Sequence, residues 1–319
     1  MRSLAYMGLV VAGAVVALAA RLPMAAAQMP LADPQSRSVT ETAPESPGMH
    51  WLDGYIEATG RARAEPPGSR RDLRLRALAA ARRAAEAELL TRLAALPVSG
   101  RHRLGEMQPD GPAMADRLRF AARSAVSVLE EISWLPDDRG REVADSVITV
   151  RLCLTDQAPA CLRYNATARG LYGLLDLHTL KPQASLFEPS RSELQAAREA
   201  LNTMAPTAGF SGLIVHTDGL GYRPKLAPML MIDDGHMVFG PAMVAPQGYR
   251  AAGPVAYAPT EAQAKSLAAP GPTPLVVHAR AVDGEGRLVL STEDAAKIMA
   301  ASAANGHFLS RGRLTIVLN

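Results

Sequence analysis

The sequence predicts an α+β chain of two domains, each a small antiparallel or mixed sheet with one packed helix, and three observations carry that expectation. Residues from Trp51 to Arg63 alternate, with Leu52, Gly54, Ile56, Ala58 and Gly60 on one side and Asp53, Tyr55, Glu57, Thr59 and Arg61 on the other, the period of two of a half-buried strand. From Arg70 to Leu96 the period becomes helical, with Leu78, Ala81, Ala85, Leu89, Leu93 and Leu96 along one stripe. The third is the stretch from Gly212 to Gly240, where short apolar runs are separated by turn chemistry.

In chain order, Arg2 precedes an apolar run from Leu4 to Ala20, and Ala25-Ala26-Ala27 follows as a small-residue site. This pattern predicts a signal peptide over residues 1–27, with cleavage after Ala19 and an uncleaved anchor as alternatives. No cysteine follows the run at the position lipidation requires, so the expectation is a periplasmic, non-lipidated protein. Residues 28–50 are rich in Pro, Ser, Thr and Glu and read as a flexible leader.

An N-terminal domain is expected over residues 51–161, in the order strand, helix, strand, strand. Glu65-Pro66-Pro67-Gly68 breaks the first strand, Pro97 ends the helix, and Pro109 to Ala113 form a further break. Val126, Val128, Ile132 and Trp134 then alternate, Asp137-Asp138-Arg139-Gly140 turns the chain, and Ile148, Val150, Leu152 and Leu154 line the returning strand. In an exported chain the only cysteines, Cys153 and Cys161, are expected to form a disulfide. Their spacing fits neither a metal site nor a C-x-x-C redox pair.

Residues 162–209 read as a connector ending in a short helix, because Ser190 and Glu193 form a capping box ahead of Leu194, Ala197 and Leu201. A β-rich C-terminal domain is expected over residues 210–319. Leu213 to Val215 open it, Asp218-Gly219-Leu220-Gly221 reverse the chain, and Pro224 and Pro228 hold the connector in a loop or at an edge. Met229 to Ile232 resume the strand, Asp233-Asp234-Gly235 is a hairpin turn, and Met237 to Phe239 return. Further strands are expected over Gly253 to Ala258, Pro274 to Ala281, Leu288 to Leu290 and Leu314 to Leu318, the last a central one. A short helix or loop is expected at Glu261 to Leu267, and a helix after Ser291.

These C-terminal motifs carry a resemblance. Leu213 to Val215, Gly219-Leu220-Gly221, Arg223-Pro224, Asp233-Asp234-Gly235 and Val238-Phe239-Gly240, with Pro274 to Val277, Ser291 to Ala296 and Leu314 to Leu318 in the same order, resemble the LPP-type small outer-membrane lipoproteins. That bacterial group includes the flagellar protein FlgP. The resemblance implies a place in the cell envelope and a role in assembly, with envelope proteins or further copies of the chain as partners. It leaves peripheral contact with the outer membrane or peptidoglycan open, and it implies no chemistry and no cofactor.

Composition excludes more than it assigns. With 34 basic against 31 acidic residues the net charge is +3, and the arginines are scattered without interleaved aromatics, so no nucleic-acid partner is expected. The densest basic cluster, Arg70, Arg71, Arg74, Arg76, Arg82 and Arg83, reads as a solvated helix face, with anionic glycan or lipid contact as the other reading. None of the seven histidines falls in a metal-ligand spacing. Asp233 and Asp234 are adjacent and read as turn residues. Gly219 and Gly221 lack the third glycine of a dinucleotide loop, and Ser211 lacks a nucleophile elbow. Three functions follow as expectations: a non-enzymatic envelope protein first, then a glycan or small-molecule binding module using the loop from Gly219 to Pro228, then a hydrolase with an illegible site.

Overall fold

The computed structural model describes residues 48–107, 113–175, 184–204, 209–267 and 269–318. The expected signal peptide, most of the expected leader, and the break at Pro109 lie outside them.

The N-terminal portion is a four-stranded antiparallel sheet under a long helix. Strands β1 (Met49–His50), β2 (Tyr55–Ala64), β3 (Val126–Pro136) and β4 (Glu142–Cys153) pair in the order β1-β2-β4-β3. Helix α1 (Arg70–Ala95) starts at a capping box: the Ser69 hydroxyl accepts the Asp72 amide at 3.2 Å and the Asp72 carboxylate accepts the Ser69 amide at 3.1 Å. The Ser69 hydroxyl also donates to that carboxylate at 2.6 Å, and this bond, with the one from the Ser69 amide, holds the Asp72 carboxyl below its ordinary range. Leu73, Ala77, Ala81, Ala85, Leu89 and Leu93 are buried at intervals of four residues. The stripe is thus longer than the sequence spacing suggests, and Leu78 lies at its half-buried margin.

The alanines in this stripe have a geometric role. A side chain on Gly60 of β2 would place its Cβ 2.2 Å from the Ala81 carbonyl oxygen and from the Ala85 nitrogen, so glycine on the strand and alanine on the helix together permit their close approach. Two arginines of the α1 surface also fix the layer. Arg82 donates to Glu86 at 2.6 Å, to the Ser127 hydroxyl at 2.8 Å and to the Ala125 carbonyl at 2.6 Å, and Arg92 donates to the Glu57 carbonyl at 2.8 Å. Part of the expected solvated face is therefore a tether between helix and sheet.

Helix α2 (Ala113–Arg123), unread in the sequence, packs beside α1. Cys153, the last residue of β4, is bonded to Cys161 in α3 (Pro159–Leu162), with Cα atoms 6.1 Å apart. Helix α4 (Leu171–Leu175) and the capped helix α5 (Arg191–Met204) follow, the Ser190 amide donating to Glu193 at 2.7 Å and the Glu193 amide to the Ser190 hydroxyl at 3.3 Å.

The C-terminal portion holds two four-stranded sheets. Its elements are β5 (Gly212–His216), β6 (Leu230–Ile232), β7 (Met237–Phe239), α6 (Pro246–Ala252), β8 (Ala256–Ala258), α7 (Glu261–Ser266), β9 (Pro274–His278), β10 (Ala281–Val282), β11 (Leu288–Leu290), α8 (Thr292–Ala304) and β12 (Leu314–Val317). Strands β8-β12-β5-β9 form an entirely parallel sheet, and β10-β11-β6-β7 a mixed one whose β11–β6 pair is parallel. The α+β class stands, and β12 is central as its apolar density predicts. The reversal at Gly219 to Gly221 carries the chain from β5 in one sheet to β6 in the other, whereas the β6–β7 hairpin turns at Asp233-Asp234-Gly235 as expected.

One contiguous hydrophobic core runs through both portions, from Ile56, Leu89 and Val150 to Leu213, Phe239 and Ile316. Backbone bonds cross between them: the amides of Leu226 and Ala227 donate to the carbonyls of Pro97 and Val98 at 3.0 and 3.1 Å.

Candidate functional site

In a parallel sheet every strand delivers its last residue to the same edge, and ligand sites of such sheets gather at the carboxyl ends of the strands. Strands β5 and β9 are neighbours in register, so their final residues, His216 and His278, are directly paired. Their rings stack with centroids 4.8 Å apart. The segment after β8 adds Glu261 at the start of α7, and that helix packs on β8, β12 and β5.

Two residues beyond β5, Asp218 adopts φ 41°, a left-handed conformation that aspartate tolerates better than most residues. The turn is anchored at Thr217, whose amide and hydroxyl both donate to the Val317 carbonyl, at 3.2 and 2.9 Å. The Ala279 amide donates to the His216 carbonyl at 2.9 Å and fixes the end of β9 against β5.

This backbone brings four polar side chains together. Asp218 Oδ2 lies 2.5 Å from His278 Nδ1, and Asp218 Oδ1 lies 3.7 Å from His216 Nδ1. On the opposite ring edge, His216 Nε2 lies 3.2 Å from Glu261 Oε2, within ion-pair distance but without hydrogen-bond geometry. Glu261 is held in turn by Lys265 at 2.5 Å, and that bond, ahead of all other influences favouring the charge, keeps its carboxyl below the ordinary range. His216 is 9% exposed, whereas Asp218 and His278 face solvent at 44% and 63%. Two imidazoles and a carboxylate whose donor atoms lie within 4.8 Å of one another can share a proton or hold a cation.

The loop singled out from the sequence adjoins this edge. Gly219 and Gly221 take φ 73° and 67°, as the reversal requires. Arg223 is exposed and Pro224 half-buried. Tyr222 and Lys225 are buried. The Tyr257 hydroxyl receives the Lys225 amide at 2.9 Å and donates to the Lys225 carbonyl at 2.8 Å, tying the loop to β8. The Lys225 ammonium donates to the Gly286 carbonyl in the β10–β11 turn and lies 4.5 Å over the Tyr222 ring. Burial pushes its pKa down to about 8, against a smaller opposing pull from Asp283.

Asp233 and Asp234 sit away from the histidine pair, in the β6–β7 turn rather than on a strand. Asp234 accepts the His236 amide at 2.9 Å, which holds its carboxyl below the ordinary range, so its part is to close the turn. Cys153 lies at the end of β4 in the antiparallel sheet, and its partner Cys161 in the short helix α3 that follows. Sequence reasoning passed over His216, His278, Glu261 and Lys225. A signal was present, since His216-Thr217-Asp218 and His278 each close an apolar run of equal length. Pairing those ends needs the knowledge that the strands run parallel, which short apolar runs do not reveal.

Residues 212–319 match the family described as Treponema pallidum Tp0624, second domain. The match begins at the first residue of β5 and includes both C-terminal sheets and the histidine pair. No curated protein matches the chain.

Proposed function

We propose that this chain is an exported, non-catalytic cell-envelope protein that works by assembly with itself or with an envelope partner. The Cys153–Cys161 bond is the observation that carries it. A disulfide joining a strand end to the next helix persists in an oxidising compartment and is rare where thiols are kept reduced. The apolar leader in the sequence supports the same compartment, and the lipoprotein resemblance supports a place beside the outer membrane, including a flagellar one.

The assembly role draws support from the N-terminal sheet. Helix α1 covers one face, while on the other Leu129 and Leu135 of the edge strand β3, opposite Thr149 and Val143 of β4, are 43% and 39% exposed. Edge strands with apolar side chains are the part of a sheet that another chain can extend or cover. A ligand-binding role for the loop from Gly219 to Pro228 has less behind it, because Tyr222, Lys225 and Leu226 turn inward.

Fractionation of cells carrying the native protein tests the reading. The expected result is release by osmotic shock, no thiol alkylated under non-reducing conditions, and a crosslinked species larger than the monomer that Leu129→Glu with Leu135→Glu removes. Recovery in the cytosol with two alkylated cysteines would overturn export, and a monomer under every crosslinking condition would overturn assembly.

A further inference from the structure

We propose that His216, His278 and Asp218 form a site for a single zinc ion, with Glu261 positioning His216. This is independent of the assembly reading. The donor atoms of the three ligands all lie within 4.8 Å of one another. Tetrahedral zinc with bonds of 2.0–2.1 Å separates its donors by roughly 3.3 Å. Asp218 turns one oxygen to each ring, Oδ2 lying 2.5 Å from His278 Nδ1 and Oδ1 lying 3.7 Å from His216 Nδ1, so a shared ion has only to draw these donors to that spacing.

The buried member of the set is oriented as a ligand. His216 Nε2 is enclosed without a hydrogen bond and faces the Glu261 carboxylate, itself secured by Lys265. A small turn of the Glu261 carboxylate would let a proton on Nε2 donate to it and leave the Nδ1 lone pair for the ion, the arrangement in which a carboxylate fixes the tautomer of a metal-binding histidine. The backbone bonds of Thr217 and Ala279 hold both strand ends in place before any ion arrives.

The remaining adjustment falls on exposed groups. A metal lies in the plane of each imidazole that binds it, so one ion can serve both rings only if His278 tips out of its stack with His216, where the ring planes now differ by 20°. His278 and Asp218 are the two solvent-facing members and can make that movement without repacking the core. The donor set also selects the metal. Two imidazoles and one carboxylate suit a borderline cation with four ligands, the fourth being water, whereas calcium and magnesium call for six or more oxygens.

Titration of the chelator-stripped full chain with zinc chloride in a calorimeter tests the site. One equivalent is expected to bind. His278→Ala and Asp218→Asn should each weaken binding at least about tenfold, and Glu261→Gln by about tenfold. Both ligand positions are exposed, and asparagine tolerates the left-handed backbone at 218. Melting in chelator, unchanged from the wild type, separates lost binding from lost folding. Cobalt in place of zinc should give the visible bands of a four-coordinate nitrogen and oxygen site, absent in the His278→Ala protein. Absence of stoichiometric binding in the wild type, or undiminished affinity in the His278→Ala/Asp218→Asn double variant, would overturn the proposal.

Discussion

The antiparallel sheet β1-β2-β4-β3 and the parallel sheet β8-β12-β5-β9 have four strands each and bury them in different ways. Along β2 buried and more exposed residues alternate, whereas every residue of β5 and β12 is buried. The antiparallel sheet keeps one face for water or a partner, and its polar side chains are spread along the strands. The two central strands of the parallel sheet are enclosed on both faces and, apart from the buried Thr315, apolar in their interiors, so the solvent-facing polar side chains gather at the strand ends, where His216 and His278 lie. Assembly is thus a property to seek in the first sheet, and ligand chemistry in the second.

The largest expected effect tests that difference in burial. Ile316, at the centre of β12, is fully buried, so Ile316→Ala should cost about 2 to 5 kcal/mol. Thr59 on β2 faces outward and shares a 2.9 Å hydroxyl bond with Thr149, so Thr59→Ala should cost about 0.5 kcal/mol or less. Urea denaturation of both variants makes the comparison, and equal costs would break it.

The antiparallel sheet has a covalent closure that the parallel one lacks. Residues 153 and 161 are separated by eight positions, and closing so short a loop stabilises the fold by about 2.5 kcal/mol in the chain-entropy model. The Cys153→Ser/Cys161→Ser protein should lose that amount. Reductant should lower the wild-type melting temperature by a similar margin and leave the variant unaffected.

The same contrast explains what the sequence made legible. Alternation in β2 and β4 and the four-residue spacing of α1 are local patterns, and they locate those elements to within a few residues. Side-chain caps are local too, which is why Ser190 and Ser291 mark the starts of α5 and α8. The runs Leu213 to Val215 and Leu314 to Val317 announce buried strands, but an apolar run does not encode which neighbour it pairs with or in which direction. The histidine pair depends on that pairing, as does the division of the C-terminal strands into two sheets. Lys225 illustrates a further limit: a lysine between Pro224 and Leu226 reads as exposed, and only the fold shows it enclosed by Tyr222, Tyr257 and the β10–β11 turn.

That enclosure gives a pH signature specific to the C-terminal portion. Lys225 loses its proton near pH 8 in the folded chain and near 10.5 when unfolded. Below pH 8 both states are protonated, and the folded state carries the full cost of a buried charge. Between pH 8 and 9 the unfolded state binds more protons, so stability should rise with pH, by about 1 kcal/mol across the window. Toward pH 10 the buried Tyr172, Tyr222, Tyr249 and Tyr257, all raised by burial, oppose the rise and then reverse it, because the unfolded state ionises first. Denaturation at pH 8, 8.5 and 9 should show the rise in the wild type, and a nearly flat profile for Lys225→Met would assign it to this residue.

The smallest effect concerns the turn that takes the chain from the parallel sheet to the mixed one. Gly221 has φ 67°, and a Cβ built there meets no heavy atom within 4 Å. A side chain therefore fits in space, and the cost of adding one is confined to the backbone. Holding an L-residue in the left-handed region costs roughly 1 to 2 kcal/mol, with β-branched residues at the upper end. Gly221→Val should accordingly lose about 2 kcal/mol and Gly221→Ala about 1 kcal/mol, whereas Arg223→Ala, exposed on the same loop, should stay within about 0.5 kcal/mol of the wild type. A loop that only reverses the chain gives this ranking in melting temperature and in cellular abundance together. An Arg223→Ala protein that folds, accumulates normally and yet fails to capture its envelope partner would move the recognition surface from the antiparallel sheet to this loop.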